Sequence, residues 1–247
     1  MYRISCSEVW GGIQNRDLDA CSATLMTSLY SGASDGGKGG YIYYVSVCQS
    51  DMLTRVALAD VVGHGEGVSH VSQWLYDCLH EQMDDGDGGR ILADLNRLVT
   101  ARGMEAMTTV AVVGFNRADS NAYFSYAGHY PMLLRRRVEK RWQSVPLEKR
   151  AGELANLPLG VDPNVRYAQQ FIPVQSGDRA FLYTDGVIEA PAADGDLFGE
   201  ERLQAVLDEH GDGSLIELKG AVLASLRAHT GGALTHDDVT LLTLEVR

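Results

Sequence analysis

Three separated stretches set aspartate at one end of an apolar run. The first is Ala57-Leu58-Ala59-Asp60, followed by Val61 and by glycines at 63, 65 and 67. The second, Arg179-Ala180-Phe181-Leu182-Tyr183-Thr184-Asp185-Gly186, again ends on aspartate and glycine. The third, Thr235-His236-Asp237-Asp238-Val239-Thr240, sets two carboxylates just ahead of an apolar C-terminal run. An aspartate at the open end of a strand, beside backbone without side-chain bulk, leaves room for a hard cation and its water. Magnesium and manganese favour such oxygen ligands, and one carboxylate can bridge two ions. Taken singly, Asp-Gly is an ordinary turn signal. Gathered in one domain, three strand-end aspartates are what metal-assisted hydrolysis of a phosphoryl group needs.

Two other motifs fall in the glycine-rich stretch 31–40. Gly32-Ala33-Ser34-Asp35-Gly36 fits the GxSxG nucleophile elbow, and Gly32 to Lys38 fits the opening of a phosphate-binding loop. The first requires a helix directly after the serine, and the second requires Ser or Thr after the lysine with a helix starting there. Gly39 follows Lys38, and the next run, YIYYVSVCQ, is β-branched and aromatic and predicts a strand.

The elements that must position the aspartates follow from periodicity. Residues 2–10 and 19–29 alternate as strands, with Gly11-Gly12 opening the connection between them. Tyr41–Gln49 and Thr54–Asp60 predict a hairpin around Ser50-Asp51 that presents Asp60 at one end. Helical spacing predicts one helix over Glu66–Met83, with Val68, Val71, Leu75, Cys78 and Leu79 on one face, and a second over Arg90–Arg102. Further strands are expected at Met107–Phe115, Asn121–Ala127, Gln169–Val174 and Arg179–Thr184, and a basic, solvated hairpin at Met132–Arg137 with Lys140–Ser144. Leu147–Ala155 reads as loop and Val187–Phe198 as a surface excursion, before helices at Gly199–Glu209 and Ser214–His229. This order predicts one α/β sandwich domain over residues 1–247.

A net charge of −12, with 45% hydrophobic and 22% charged residues, argues against a nucleic-acid or anionic-membrane binder, because such proteins present a basic surface. No apolar run approaches the roughly 20 residues of a membrane span, and the N-terminus lacks the apolar core of a signal peptide. A cytoplasmic location is expected. Cys6, Cys21, Cys48 and Cys78 have no CxxC spacing, which suits reduced core thiols.

The order and surroundings of these motifs resemble the SpoIIE-type branch of the metal-dependent protein phosphatase (PPM) family. That branch reads, in order, a Gly-Gly-Asp strand start, Asp-Val-x-Gly-His-Gly, Ala-Gly-His-x-Pro, Leu-Pro-Leu-Gly, Tyr-Thr-Asp-Gly and Asp-Asp-x-Thr. The chain has Asp60-Val61-Val62-Gly63-His64-Gly65, Ala127-Gly128-His129-Tyr130-Pro131, Leu157-Pro158-Leu159-Gly160, Tyr183-Thr184-Asp185-Gly186 and Asp237-Asp238-Val239-Thr240.

The resemblance implies a PPM-like sandwich of two antiparallel β-sheets flanked by helix pairs. It implies two Mn2+ or Mg2+ sites: Asp60, Asp185 and Asp237 on the first, Asp60 and the Val61 carbonyl on the second, and Asp238 in the outer shell. It also implies hydrolysis of phosphoserine or phosphothreonine on a regulatory protein, of the partner-switching kind. Gly63, His64 and Gly65 are candidates for substrate contact or for holding the turn. His129, between Gly128 and Tyr130-Pro131, reads as a proton donor or as a hydrogen bond that holds its own turn, the second being favoured because no charge partner is visible for it. One departure stands out. Where the branch has Gly-Gly-Asp, with that Asp on the second metal, this chain has Gly39-Gly40-Tyr41. A phenol with a pKa of about 10 is a poor magnesium ligand at neutral pH. Either Asp35 replaces the lost carboxylate, or the second site is weak and the protein is a slow enzyme or a partner-binding pseudophosphatase.

Overall fold

The computed structural model describes residues 1–35, 37–48, 51–63, 65–82, 85–147 and 156–247. His64, the Gln49-Ser50 part of the hairpin turn, Met83 at the expected helix end, and all but Leu147 of the expected 147–155 loop lie outside them. The strands are β1 Tyr2–Arg3, β2 Val9–Gln14, β3 Arg16–Cys21, β4 Leu25–Gly32, β5 Lys38–Cys48, β6 Leu53–Val61, β7 Thr108–Asn116, β8 Asn121–Ala127, β9 Leu133–Arg135, β10 Trp142–Ser144, β11 Gln170–Pro173, β12 Arg179–Tyr183 and β13 Val239–Val246. The helices are α1 Ser69–Gln82, α2 Gly88–Arg102, α3 Asp185–Ile188, α4 Gly199–His210 and α5 Leu215–Thr230.

Strands β1-β3-β4-β13-β12-β9-β10 form one sheet and β11-β8-β7-β6-β5-β2 the other. Apart from the parallel contact of β1 with β3, the paired strands run antiparallel. Alternation along β5 assigns the layers. Tyr41, Tyr43, Val45 and Val47 enter the core between the sheets, while Ile42 and Tyr44 join the core under α1 and α2. A third core lies between the seven-stranded sheet and α4 with α5, built on Phe181, Leu207, Val222 and Leu241. The protein is therefore a helix pair, two sheets and a second helix pair in four layers. A strand buried on both faces reads as a nearly continuous apolar run, as residues 41–48 do.

Several expected elements shift for identifiable reasons. The run expected as a strand at 19–29 is broken after Cys21. There the Ser22 hydroxyl oxygen accepts from Thr24 N–H (3.1 Å) and Leu25 N–H (3.0 Å), a local turn that competes with the ladder. Gly11 and Gly12 do not open a connection; they lie inside β2, opposite Tyr44 and Tyr43. A Cβ on Gly11 would stand 2.6 Å from the Tyr76 ring, so this glycine marks a close approach of α1.

The basic hairpin is ion-paired. Arg135 is 6% exposed and donates to Asp212 (2.5 Å), and Arg136 donates to Asp178 (2.9 Å). The excursion after Asp185 is partly core, since Val187, Ala190 and Phe198 are buried against α4 and α5. The four cysteines are unpaired; Cys78 packs against the core under α1 and α2, whereas Cys6 is exposed and Cys21 and Cys48 are only partly buried. Among the described residues no helix is long and apolar enough to cross a membrane.

Candidate active site

The three aspartate stretches meet at one end of the sandwich, with Asp60 coming from the six-stranded sheet and the others from the seven-stranded sheet. Asp60 is the penultimate residue of β6, Asp185 follows β12, and Asp237 and Asp238 immediately precede β13. β12 and β13 are hydrogen-bonded neighbours, so their aspartates are brought together by strand pairing. The Thr240 backbone N–H donates to the Thr184 hydroxyl (3.0 Å) and the Thr184 N–H to the Thr240 carbonyl (3.0 Å), which locks the two ends. His236 adds a tie that sequence reasoning missed, its Nε2 lying 2.8 Å from the Gly186 carbonyl.

Burial and the neighbouring charges of Asp185, Asp237 and Asp238 push the Asp60 carboxyl well above the usual carboxylate range; Asp185 is close enough to share a hydrogen bond with it. Among the described residues, no three acidic, imidazole or thiol side chains close into a ready ligand group. The donor chemistry is nonetheless all oxygen, and like charges crowded together are stabilised by a cation. On those two counts the residues fit a divalent ion of the magnesium or manganese kind, with Asp60, Asp185 and Asp237 as the side chains that would hold it. The Val61 carbonyl lies at the same turn, 3.0 Å from where a Cβ on Gly40 would stand.

Asp238 has a different surrounding. It is 1% exposed, and Oδ1 accepts from the Ser34 N–H (2.8 Å) and hydroxyl (3.0 Å). Oδ2 accepts from the N–H of Gly40 (2.6 Å) and of Gly65 (3.2 Å). One carboxylate thus ties the glycine-rich loop, the start of β5 and the turn after Asp60. A side chain on Gly39 would collide with its Oδ2. Gly63 (φ 97°) and Gly65 (φ 69°) hold positive backbone angles in that turn, where L side chains are strained.

Tyr41 faces the core between the sheets and is fully buried, its hydroxyl donating to Asn15 Oδ1 (3.0 Å). Burial, then the charge of Asp238, raise its pKa further, so the phenol stays protonated. Asp35 lies against the Asp60 turn, its Oδ2 accepting from Glu66 N–H (2.7 Å). Ser34 is hydrogen-bonded to Asp238, and β5 rather than a helix follows it, so the nucleophile-elbow and phosphate-loop readings have no structural context. His129 is buried, with Nδ1 3.0 Å from Thr109 Oγ1. Burial lowers its pKa to about 4, while Asp185, the charge partner invisible in the sequence, opposes that shift.

A two-sheet sandwich with flanking helix pairs and aspartates gathered at one end defines the PP2C-type phosphatase fold. Residues 50–247 match the family described as Stage II sporulation protein E (SpoIIE), and the chain belongs to it. Among relatives, it is 26% identical over 208 residues to the phosphoserine phosphatase RsbU of Bacillus subtilis, covering 83% of this chain and 58% of RsbU. It is 23% identical over 226 residues to the phosphoserine phosphatase RsbP of the same organism, covering 89% of this chain and 52% of RsbP. The chain thus spans little more than half of each relative.

Among solved structures, the RsbU and RsbW domains of Rv1364c from Mycobacterium tuberculosis superpose with a TM-score of 0.77 at 21% identity, over 96% of this chain and 63% of that one. RsbX in complex with magnesium gives 0.67 at 17% identity, over 94% of this chain and 100% of that one. The catalytic domain of the serine/threonine protein phosphatase PstP with two manganese ions gives 0.58 at 18% identity, over 90% and 98%.

Proposed function

We propose that this protein is a divalent-metal-dependent protein serine/threonine phosphatase, acting on phosphoserine or phosphothreonine of a regulatory protein in a partner-switching system. The observation that carries this reading is the convergence of Asp60, Asp185 and Asp237, from three distant segments, close enough for their charges to act on one another. The relatives named phosphoserine phosphatases, and the neighbours solved with magnesium or manganese, support it.

Bound there, a divalent ion would acidify water and offset charge on the phosphoryl oxygens. Asp60, Asp185 and Asp237 would hold the ion, and Asp238 keeps the Asp60 turn, the glycine-rich loop and β5 in fixed relation. Neutral His129 lies beside Asp185 without adding positive charge. Gly63 and Gly65 serve the turn. The test is release of phosphate from an aryl phosphate and from a phosphoserine protein. It is expected to depend on manganese or magnesium and to vanish in Asp60→Asn and Asp185→Asn; release that survives both substitutions would overturn the assignment.

A second reading, a pseudophosphatase that binds its partner with little turnover, is favoured by the buried Tyr41, whose hydroxyl is committed to Asn15. Under that reading phosphoprotein binding persists while saturating manganese elicits no release. Asp35, at the same turn, is the residue to substitute when asking which reading holds.

A further inference from the structure

Arg55 lies within β6 on the face that packs toward α1 and α2, where its neighbours Ala57 and Ala59 belong to the apolar core. It is 5% exposed. Its stem crosses Gly114, its partner in the β6–β7 ladder, with Cγ 3.8 Å from where a Cβ on that glycine would stand. Among the described residues no acceptor engages the guanidinium.

Arg55 helps line a cavity of about 270 Å³ beside Asp85, Gly86 and the start of α2, with Leu53, Ile91 and Val112 on its apolar side. The other polar side chains there each have a partner, Asn116 Oδ1 accepting from Ala118 N–H (2.9 Å). Gln169 Oε1 accepts from Gly88 N–H (2.7 Å), the Tyr123 hydroxyl donates to Asp119, and Asp85 is held by Arg90 (2.8 Å) and by Asp87 N–H (2.9 Å). The α2 N-terminus is capped by Asp87, which accepts from Gly89 and Arg90 N–H, so the helix end is not the receptor. An arginine keeps its charge at any working pH, so the cavity carries a fixed positive group that a bound anion can pair.

We propose that this cavity binds a small organic carboxylate, gripped by the forked donors of Arg55 while Leu53, Ile91 and Val112 cover its apolar body. A monoanion suits the site better than a phosphate dianion because Asp85 also faces the cavity. The proposal is independent of the phosphatase reading.

The test uses the full chain, isotope-labelled, with EDTA present so that the aspartate site holds no divalent ion. Benzoate and inorganic phosphate are titrated separately while amide shifts are followed. Benzoate is expected to give saturable shifts at Gly88, Ile91 and Gly114 and to bind several-fold more tightly than phosphate. Arg55→Gln should weaken benzoate by about tenfold or more, as loss of a charged forked donor does. Asp85→Asn, which leaves the buried strand untouched, should tighten it about threefold by removing the nearby negative charge. Linear shifts, shifts centred on Gly63 and Gly186, unchanged affinity in a natively folded Arg55→Gln, no gain in Asp85→Asn, or phosphate binding as tightly as benzoate would each overturn the proposal.

Discussion

Tyr41 stands directly opposite Asp60 in the β5–β6 ladder, so the two side chains share a face of the sheet, and the phenol donates a hydrogen bond to Asn15 Oδ1. In the family pattern an aspartate occupies this cross-strand position. Two adjacent strands would then deliver a pair of carboxylates to one place, where this chain delivers one.

Tyr41→Asp is therefore expected to tighten manganese binding and raise turnover of an aryl phosphate. Removing a buried aromatic costs about 3–5 kcal/mol, so the chelated variant should melt below the parent and recover on adding manganese. Titration calorimetry beside thermal melts checks both. Unchanged ion affinity would mean that position 41 does not face the ion.

Asp60→Asn removes the ionisable group from the crowd formed with Asp185, Asp237 and Asp238. In EDTA the variant should be more stable than the parent, because burial and the neighbouring carboxylates disfavour a charge at this position and a neutral amide avoids that cost. It should gain nothing from magnesium or manganese. Denaturant melts with and without the ion decide the matter, and a variant that is less stable in EDTA yet equally responsive to ion would count against a shared site.

Asp238→Asn keeps the size of the side chain but turns a donor toward backbone N–H groups that need an acceptor. Because those groups belong to Ser34, Gly40 and Gly65, the Asp60 turn should loosen. Ion affinity or activity is expected to fall about 10–100-fold, the usual effect of losing a group that orients ligands. Gly39→Ala, which pushes on the same carboxylate, should behave alike. Wild-type affinity in both would remove Asp238 from the positioning machinery.

His129 links stability to pH. Its folded pKa is lowered to about 4 by burial, whereas in the unfolded chain it titrates near 6.5. Between those values the unfolded state binds more protons, so the stability held above about pH 6.5 is lost as pH falls toward 4. The loss is of order 3 kcal/mol at most. His129→Gln should flatten that part of the curve, measured as unfolding free energy against pH; an unchanged slope would show that other groups carry it.

The layers were legible because they rest on local periods. Tyr41, Tyr43, Val45 and Val47 alternate with Ile42 and Tyr44, and Val71, Leu75 and Leu79 recur at helical spacing, so each face announces itself within a dozen residues. The breaks were less legible. Nothing in the alternation of 19–29 says that the Ser22 hydroxyl will take two N–H groups out of the ladder, and Gly11 reads as a turn until Tyr76 arrives above it.

By itself the sequence determined that three apolar strands carry aspartates at one end, in the order and company of one family, and that tyrosine stands where an aspartate is usual. Only the tertiary structure decided what those residues touch: that Asp238 reaches Ser34, Gly40 and Gly65 across 204, 198 and 173 residues, that His129 lies beside Asp185, and that Arg55 opens into a cavity. The reason is physical. Periodicity is written along the chain, whereas hydrogen bonding and charge coupling act through space, between atoms that only strand pairing and layer packing bring near.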